Sequence, residues 1–368
     1  MIYLDYQATT PLAPEVAEAM GEAMAHYGNP SSAHRIGRMA AADVELARDR
    51  INAALGKRDG RLIFTSGATE ALNIAIHGTA LDAPPGRRRV ITLASEHAAV
   101  LDTVMALRHE GFEPVILPVG PDGLVDLDIA EAAIDGRAAL LAVMQVNNEI
   151  GVMQPLDALM RIARAGDVPV LCDAVQGFGK FPVPDADMVV VSAHKIHGPK
   201  GIGALWLREG LDLPPLMHGG SQEKGIRPGT LSPMLCAGFG VAASLAAERR
   251  ATDLAHVETL WARALELFAD WRINGSSRAR YHGNLNLRRA GLDAARLISQ
   301  VRNVALSLGS ACASGSGRPS HVLKAIGLGD GEARGSLRMG FGRYTTLAEL
   351  EEAAMLIKEA AATQKVAA

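Results

Sequence analysis

The sequence is poor in several features that mark other classes of protein. Aromatic residues make up only 4% of the 368 residues, and the formal net charge is −3. Because no block of like charge stands out, neither a nucleic acid nor an anionic membrane surface is expected as the main partner. No apolar run approaches the roughly 18 residues of a membrane-spanning helix. The N-terminus lacks the basic and apolar regions of a signal peptide.

Cysteine is scarce as well. Cys172, Cys236 and Cys312 form an odd set without metal-ligand spacing, so a disulfide framework is not expected and a reducing cytoplasm is the default compartment. The chain has no G-x-x-x-x-G-K-[ST] motif, and no G-x-G-x-x-G follows its first strand, which disfavours two common nucleotide-binding loops. His194 and His197 have no cysteine or acidic residue at zinc-ligand spacing, and we predict no metal.

The chain does have a globular composition, with 48% hydrophobic and 21% charged residues. Short apolar runs alternate with helical patterns. Continuous apolar runs are typical of a parallel sheet that is covered on both faces. They occur at residues 62–65, 90–94, 115–119, 139–146, 168–172, 188–192 and 202–207. We therefore predict an α/β, doubly wound domain over residues 14–247.

The remainder of the chain has a different pattern of predicted elements. We predict a long helix over 242–271, a strand near 281–287, a helix near 293–303 and a Gly/Ser-rich loop over 309–317. Thr346 and Glu349 form a capping box that opens the last helix. These elements predict a smaller α+β domain made of residues 1–13 and 248–368, with the N-terminal strand folded back onto it.

Polar residues follow five of the predicted strands. Ligands of open α/β sheets bind beyond the carboxyl ends of the strands. The residues at those ends are Ser66-Gly67-Ala68-Thr69, Glu96-His97, Asn147-Asn148-Glu149, Asp173-Ala174-Val175-Gln176 and Ser192-Ala193-His194-Lys195. Singly, each could be a cap or a surface residue. Together they offer an amine, an acid, amides, an imidazole and a phosphate-sized turn, which is the set that pyridoxal phosphate requires.

At this point the sequence resembles the cysteine desulfurases of the NifS/IscS type, which have the class V aminotransferase fold. The resemblance covers residues 2 to about 350. It is carried by Tyr3-Leu4-Asp5-Tyr6-Gln7-Ala8-Thr9-Thr10-Pro11, Phe64-Thr65-Ser66-Gly67-Ala68-Thr69-Glu70, Val146-Asn147-Asn148-Glu149-Ile150-Gly151, Asp173-Ala174-Val175-Gln176, Ser192-Ala193-His194-Lys195, Gly198-Pro199-Lys200-Gly201 and Gly309-Ser310-Ala311-Cys312. It implies the fold of the pyridoxal-phosphate-dependent, aspartate aminotransferase-like transferases, with a mainly parallel seven-stranded sheet in the large domain.

The resemblance also implies a role for each matching residue. Lys195 joins the cofactor as an imine, Asp173 pairs with its ring nitrogen, Gln176 faces its phenolic oxygen and His97 stacks on its ring. Ala68, Thr69, Ser192 and His194 hold the phosphate, and Asn148 lies beside cofactor and substrate. Thr230 reaches the phosphate of a neighbouring subunit, which implies a homodimer. Arg338 binds the substrate carboxylate, a role that suits a guanidinium.

Cys312 distinguishes the activities that this fold supports. Residues 310–319 include no large apolar side chain, so we expect an exposed thiol on a mobile loop, which is the setting of a reactive cysteine. Packing better explains Cys172 and Cys236. The implied reaction converts L-cysteine to L-alanine and leaves a persulfide on Cys312, with Lys195 moving the Cα proton and His97 as an acid/base. An acceptor protein, either an iron–sulfur scaffold or a tRNA-thiolation enzyme, then takes the sulfur.

Two alternatives stay open. One lies within the same fold: a selenocysteine lyase or an aminotransferase, although an aminotransferase does not need a thiol on a loop. The other is a catalytically silent scaffold that binds a partner through that loop. Its purified form would stay colourless after addition of the cofactor.

Overall fold

The computed structural model describes residues 1–57, 59–308 and 319–364. The helices are α1 (Pro14–Ala23), α2 (Arg35–Leu55), α3 (Ala68–Leu81), α4 (Ala98–Ala106), α5 (Leu127–Ala133), α6 (Leu156–Ala165), α7 (Pro233–Leu267), α8 (Ala294–Gln300), α9 (His321–Ala325), α10 (Asp330–Arg334) and α11 (Leu347–Ala362). The strands are β1 (Ile2–Tyr3), β2 (Arg61–Thr65), β3 (Arg89–Leu93), β4 (Glu113–Leu117), β5 (Ala138–Met144), β6 (Val170–Asp173), β7 (Met188–Ser192), β8 (Gly203–Leu207), β9 (Arg272–Ile273), β10 (Asn284–Arg288), β11 (Val304–Ala305) and β12 (Ser336–Gly340).

A seven-stranded sheet forms the centre of the larger part of the molecule. Its strand order is β2-β8-β7-β6-β5-β3-β4, and β8 runs antiparallel to both of its neighbours whereas the other pairs are parallel. Every residue of β5, β7 and β8 is buried. Helices cover both faces, as the continuous apolar runs require. The predicted α/β class and the mainly parallel seven-stranded sheet are therefore confirmed.

The rest of the molecule is a smaller α+β region. Strands β12, β10 and β9 form an antiparallel sheet, and β1 pairs in parallel with β11. A separate apolar core joins the N-terminal segment to this region, with Leu4, Leu285, Leu337 and Phe341 all fully buried. The expected return of the N-terminal strand to this region is confirmed. The Thr346–Glu349 capping box also opens α11.

The long helix differs from its predicted range. It begins at Pro233 instead of residue 242, because the Ser232 hydroxyl caps it by accepting from the Leu235 N–H at 3.4 Å and Pro233 suits the first turn. The helix continues through residue 247, where we placed the end of the large domain. The boundaries 14–247, 1–13 and 248–368 stay a prediction. No helix of the described ranges is long and apolar enough to cross a membrane.

Candidate active site

The predicted site residues meet in one crevice at the carboxyl ends of the parallel strands. The crevice has a volume of about 610 Å³. Ten of the predicted residues line it: Ala68, Thr69, His97, Asn148, Asp173, Gln176, Ser192, His194, Lys195 and Arg338. Two predicted residues do not contribute to this lining. Thr230 is exposed on the loop between β8 and α7, and Cys312 lies outside the described residues.

The amine of Lys195 lies against the N-terminal segment. Lys195 ends a single 3₁₀ turn, Ala193–Lys195, which directly follows β7. Its Nζ donates to the carbonyl oxygens of Gln7 at 2.6 Å and Ala8 at 2.8 Å. The N-terminal segment therefore orients the one lysine that the strand-end pattern selected.

A buried carboxylate stands at the end of the neighbouring strand β6. Asp173 is 7% exposed, and its Oδ1 accepts the Val175 N–H at 2.9 Å. Burial raises the pKa of Asp173, while the hydrogen bond from Val175 and the electrostatic influence of His97 and Lys195 act to lower it. Because an ionised carboxylate at this depth gains from a positive partner, Asp173 suits a protonated ring nitrogen.

The start of α3 forms an anion cradle. Gly67 precedes the helix and supplies no side-chain cap, so the first-turn N–H groups are free to bind a ligand and the helix dipole favours a negative one. Ser192 and His194 line the same crevice. Burial, with the charges of Lys195 and Lys200, lowers the pKa of His194 to about 4. His194 is therefore a neutral hydrogen-bonding group near pH 7.

Two side chains on the crevice wall have one polar atom already engaged. Nδ1 of His97 accepts the Ala99 N–H at 3.1 Å, where His97 caps α4, which places the proton of the neutral ring on Nε2. Nε2 of Gln176 donates to the Gln7 carbonyl at 2.9 Å. Each side chain is thus fixed in orientation with capacity left for a ligand.

Arg338 is 1% exposed and is held by two partners. It donates to the Asn148 carbonyl at 3.0 Å and to Oδ1 of Asp5 at 2.8 Å, and Asp5 also accepts the Ser307 hydroxyl at 2.8 Å. The Nε–H of Arg338 is buried without a partner in the described structure. The guanidinium is therefore pre-oriented, and part of its donor capacity remains for an anion.

Asp5 and Glu149 have structural roles that the sequence did not reveal. Asp5 belongs to the N-terminal segment that resembles the family, but its partner Arg338 lies 333 positions away in the chain. No local pattern encodes such a contact. The buried carboxylate of Glu149 accepts the Ser320 hydroxyl. Both acids thus fix positions close to Arg338 and to the start of α9.

The loop that carries Thr230 is tied to the cradle by an ion pair. Nε of Arg227 lies 2.8 Å from Oε1 of Glu70, in the first turn of α3. Oε2 of Glu70 accepts the Ser66 N–H at 2.5 Å. The ion pair thereby holds the loop beside the crevice, while Thr230 itself is not part of the described lining.

Cys172 and Cys236 are buried, as predicted from their apolar surroundings. Burial raises the pKa of Cys236 to about 12 and that of Cys172 well above its usual range. Burial thus disfavours the thiolate of both residues, which argues against either one as the nucleophile.

The crevice fits pyridoxal phosphate in three separate respects. It offers an amine on Lys195, a buried carboxylate on Asp173 and an uncapped helix start at Ala68. In the described residues, no group of three or more His, Cys, Asp or Glu side chains could hold a metal ion. The amine, the carboxylate and the uncapped helix start together suit an organic phosphate.

Comparisons with known proteins agree on one family. The family model "Aminotransferase class-V" matches residues 2–352. The cysteine desulfurase IscS of Rickettsia akari (strain Hartford) is 43% identical, with 97% of this chain and 90% of that protein covered. Among solved structures, a NifS-like protein superposes with a TM-score of 0.91 at 31% identity, covering 97% and 98% of the two chains. SspA in complex with cysteine gives 0.82 at 34% identity, covering 94% and 100%.

Proposed function

The chain belongs to the class-V aminotransferase family, and we propose that it is a cysteine desulfurase whose described crevice binds pyridoxal phosphate and L-cysteine. The overall reaction transfers the sulfur of L-cysteine to an enzyme thiol, which yields L-alanine and a protein persulfide. The sulfur atom that leaves the substrate is the one that the thiol gains. The enzyme is dependent on pyridoxal phosphate, as are the desulfurases that it resembles.

The chain supplies a separate group for each part of the cofactor. The first-turn N–H groups of α3, with Thr69, Ser192 and His194, would hold the phosphate, Asp173 would face the ring nitrogen and Gln176 the phenolic oxygen. His97 would cover the ring of the cofactor, and the Lys195 amine would bond to the cofactor's aldehyde carbon. When bound, the cofactor supplies an electron sink for the carbanion at the substrate Cα.

The side chains around the substrate bind it and move its protons. Arg338 would bind the carboxylate through the Nε–H that has no partner among the described residues. The neutral amine of Lys195 would accept the Cα proton and return a proton later, which its flexible stem allows. His97 would exchange a thiol proton through Nε2, because Ala99 engages Nδ1. Asn148 would border cofactor and substrate.

We assign the sulfur-accepting thiol to Cys312, which lies outside the described residues. Two arguments support the assignment. The other two cysteines are buried and their pKa values are raised. In addition, the polar stretch around Cys312 resembles the reactive-cysteine segment of the family.

The observation that carries the proposal is the meeting of Lys195, Asp173, the start of α3 and Arg338 in a single crevice. Four different strands or turns bring them there. Burying a carboxylate and a guanidinium beside an amine costs free energy. In a catalytically silent scaffold, no function would require that cost.

Two substitutions divide the reaction. In Lys195→Ala, the visible absorbance of the lysine-bound cofactor should be lost. In Cys312→Ser, the absorbance should remain, while the peptide of residue 312 gains no sulfur after L-cysteine is added. Cys236→Ala is the matched control, because it removes a buried thiol and should leave the mass gain on Cys312 intact. Desulfuration by Cys312→Ser at the wild-type rate would disprove the assignment of that thiol.

The alternatives within the fold have their own readouts. Selenocysteine turnover that greatly exceeds cysteine turnover would favour a lyase, and 2-oxoacid-dependent amino transfer would favour an aminotransferase.

We also propose that the chain acts as a homodimer and passes sulfur to an acceptor protein, either an iron–sulfur scaffold or a tRNA-thiolation enzyme. Thr230 is exposed and lies outside the lining of its own crevice, so its hydroxyl is available to a second subunit. Sedimentation should give twice the chain mass of 38.7 kDa. In mixed dimers, a subunit with Thr230→Val should weaken cofactor binding in the other subunit.

A further inference from the structure

A second, smaller cavity shares Lys195 with the crevice. Its walls come from the segment after β6, from α7 and from the segment after β12, and they include Gly179, Lys180, Ala246, Leu254 and Arg343. It lies where the larger sheet region meets the smaller α+β region. None of the roles proposed above belongs to Lys180 or to the cavity residues of α7.

Lys180 brings a second amine into this cavity. Its Nζ donates to the backbone carbonyl of Lys195 at 3.3 Å and lies 5.5 Å from the centre of the Tyr281 ring. No ion pair of Lys180 occurs in the part of the chain that the structure describes. Burial and the positive charge of Lys195 together lower the pKa of Lys180 to about 7.

The other ionisable groups around the cavity do not balance this amine. Asp253 is engaged by Arg343 at 2.8 Å. Nδ1 of His197 donates to the Pro11 carbonyl at 2.9 Å, and burial lowers the pKa of this histidine to about 4, so it is neutral at pH 7. Burial raises the pKa values of the Tyr6 and Tyr281 phenols, which stay neutral as well.

Arg250 is the remaining cation of the lining, and it is exposed. Water therefore screens its charge far more than that of an enclosed group.

We propose that Lys180 is a positioning residue for the reaction, which disfavours a proton on the Lys195 nitrogen by placing a second positive charge in the cavity that both side chains line. Two like charges in one partly buried cavity destabilise each other. A proton on Lys180 therefore favours the unprotonated Lys195 nitrogen, which is the form that can attack a carbonyl or accept a Cα proton. This inference rests on the proposed function of Lys195.

The test uses the holoenzyme and two variants of fixed charge. Lys180→Met is neutral at every pH, and Lys180→Arg is charged at every pH. The visible absorbance of the lysine-bound cofactor is titrated between pH 5 and 10, and its midpoint reports proton loss from the Lys195 nitrogen. We expect the midpoint of Lys180→Met to lie roughly one pH unit above that of Lys180→Arg, with the wild type between them.

Arg250→Met is the control, because it removes a positive charge from the same cavity at an exposed position. Its midpoint should match that of the wild type. Coincident midpoints for the two Lys180 variants, or the reverse order, would overturn the inference. An equal shift in Arg250→Met would overturn it too, because long-range charge would then suffice.

Two further readouts keep the test decisive. If Lys180→Arg does not fold, the wild type still discriminates: two coupled protons broaden its titration, whereas Lys180→Met should follow a single-proton curve. A wild-type titration as steep as that of Lys180→Met would then refute the proposal. Failure of the wild type to bind the cofactor through Lys195 would instead refute the proposed function.

Discussion

Gly203 offers the sharpest test of how the fold builds the anion cradle. It lies in β8 opposite Thr65 of β2 and Ser192 of β7, so it separates the two strands that lead to the cradle and to Lys195. A Cβ on Gly203 would lie 2.8 Å from the carbonyl carbon of Gly67, 2.9 Å from its Cα and 2.9 Å from the Val191 carbonyl oxygen. All three are backbone atoms, so no side-chain rotation can relieve the contact.

The Gly203→Ala substitution should therefore move the start of α3. Overpacking of this kind costs about 1–3 kcal/mol of stability. A displaced cradle that loses one charge-assisted hydrogen bond to the phosphate loses about 1.5–3 kcal/mol of binding free energy. At about 1.4 kcal/mol per tenfold change, the cofactor should bind roughly 10- to 100-fold more weakly.

Two measurements check this prediction: the cofactor Kd, from absorbance after dilution, and the free energy of unfolding of the apoprotein in urea. Gly331→Ala is the control. It lies in α10, and a Cβ there meets nothing within 4 Å, so it should leave cofactor affinity unchanged and raise stability by about 0.5 kcal/mol. Wild-type cofactor affinity in Gly203→Ala would refute the argument that this glycine sets the position of the cradle.

Two further predictions concern the partly buried Asp5 and the fully buried Glu96. Asp5→Asn should lower the free energy of unfolding by about 1–3 kcal/mol. It should also lower the KM for L-cysteine, because Arg338 loses its countercharge while the Asn148 carbonyl still holds the guanidinium. A raised KM would show that Asp5 mainly positions the guanidinium. Burial raises the pKa of Glu96 well above its ordinary 4.5. The stability this group contributes is therefore complete below pH 4.5 and is lost as pH rises through the raised pKa. Glu96→Gln, which cannot titrate, should flatten the fall in unfolding free energy as the pH rises above 4.5, and an unchanged slope would contradict this reasoning.

Local patterns predicted the sheet and most of the crevice lining for a simple reason. Apolar runs of four to eight residues indicate buried strands, and in a parallel sheet the carboxyl ends of such strands meet at one edge. Lys195, Asp173 and His97 each follow a predicted strand, so their meeting did not depend on detailed packing. Boundaries were less well predicted. The helix α7 begins nine residues earlier than expected, because the Ser232 cap lies ahead of the apolar pattern.

The sequence by itself determined the fold class, the family and the chemical groups of the site, since each of these follows from residue types in short segments. Only the tertiary structure decided which distant residues come into contact. Asp5 pairs with Arg338, the Lys180 amine donates to the carbonyl of Lys195, and Gly203 lies against Gly67. These contacts join segments that are far apart along the chain or on different strands, and their strength depends on burial and distance, which become defined only when the chain folds.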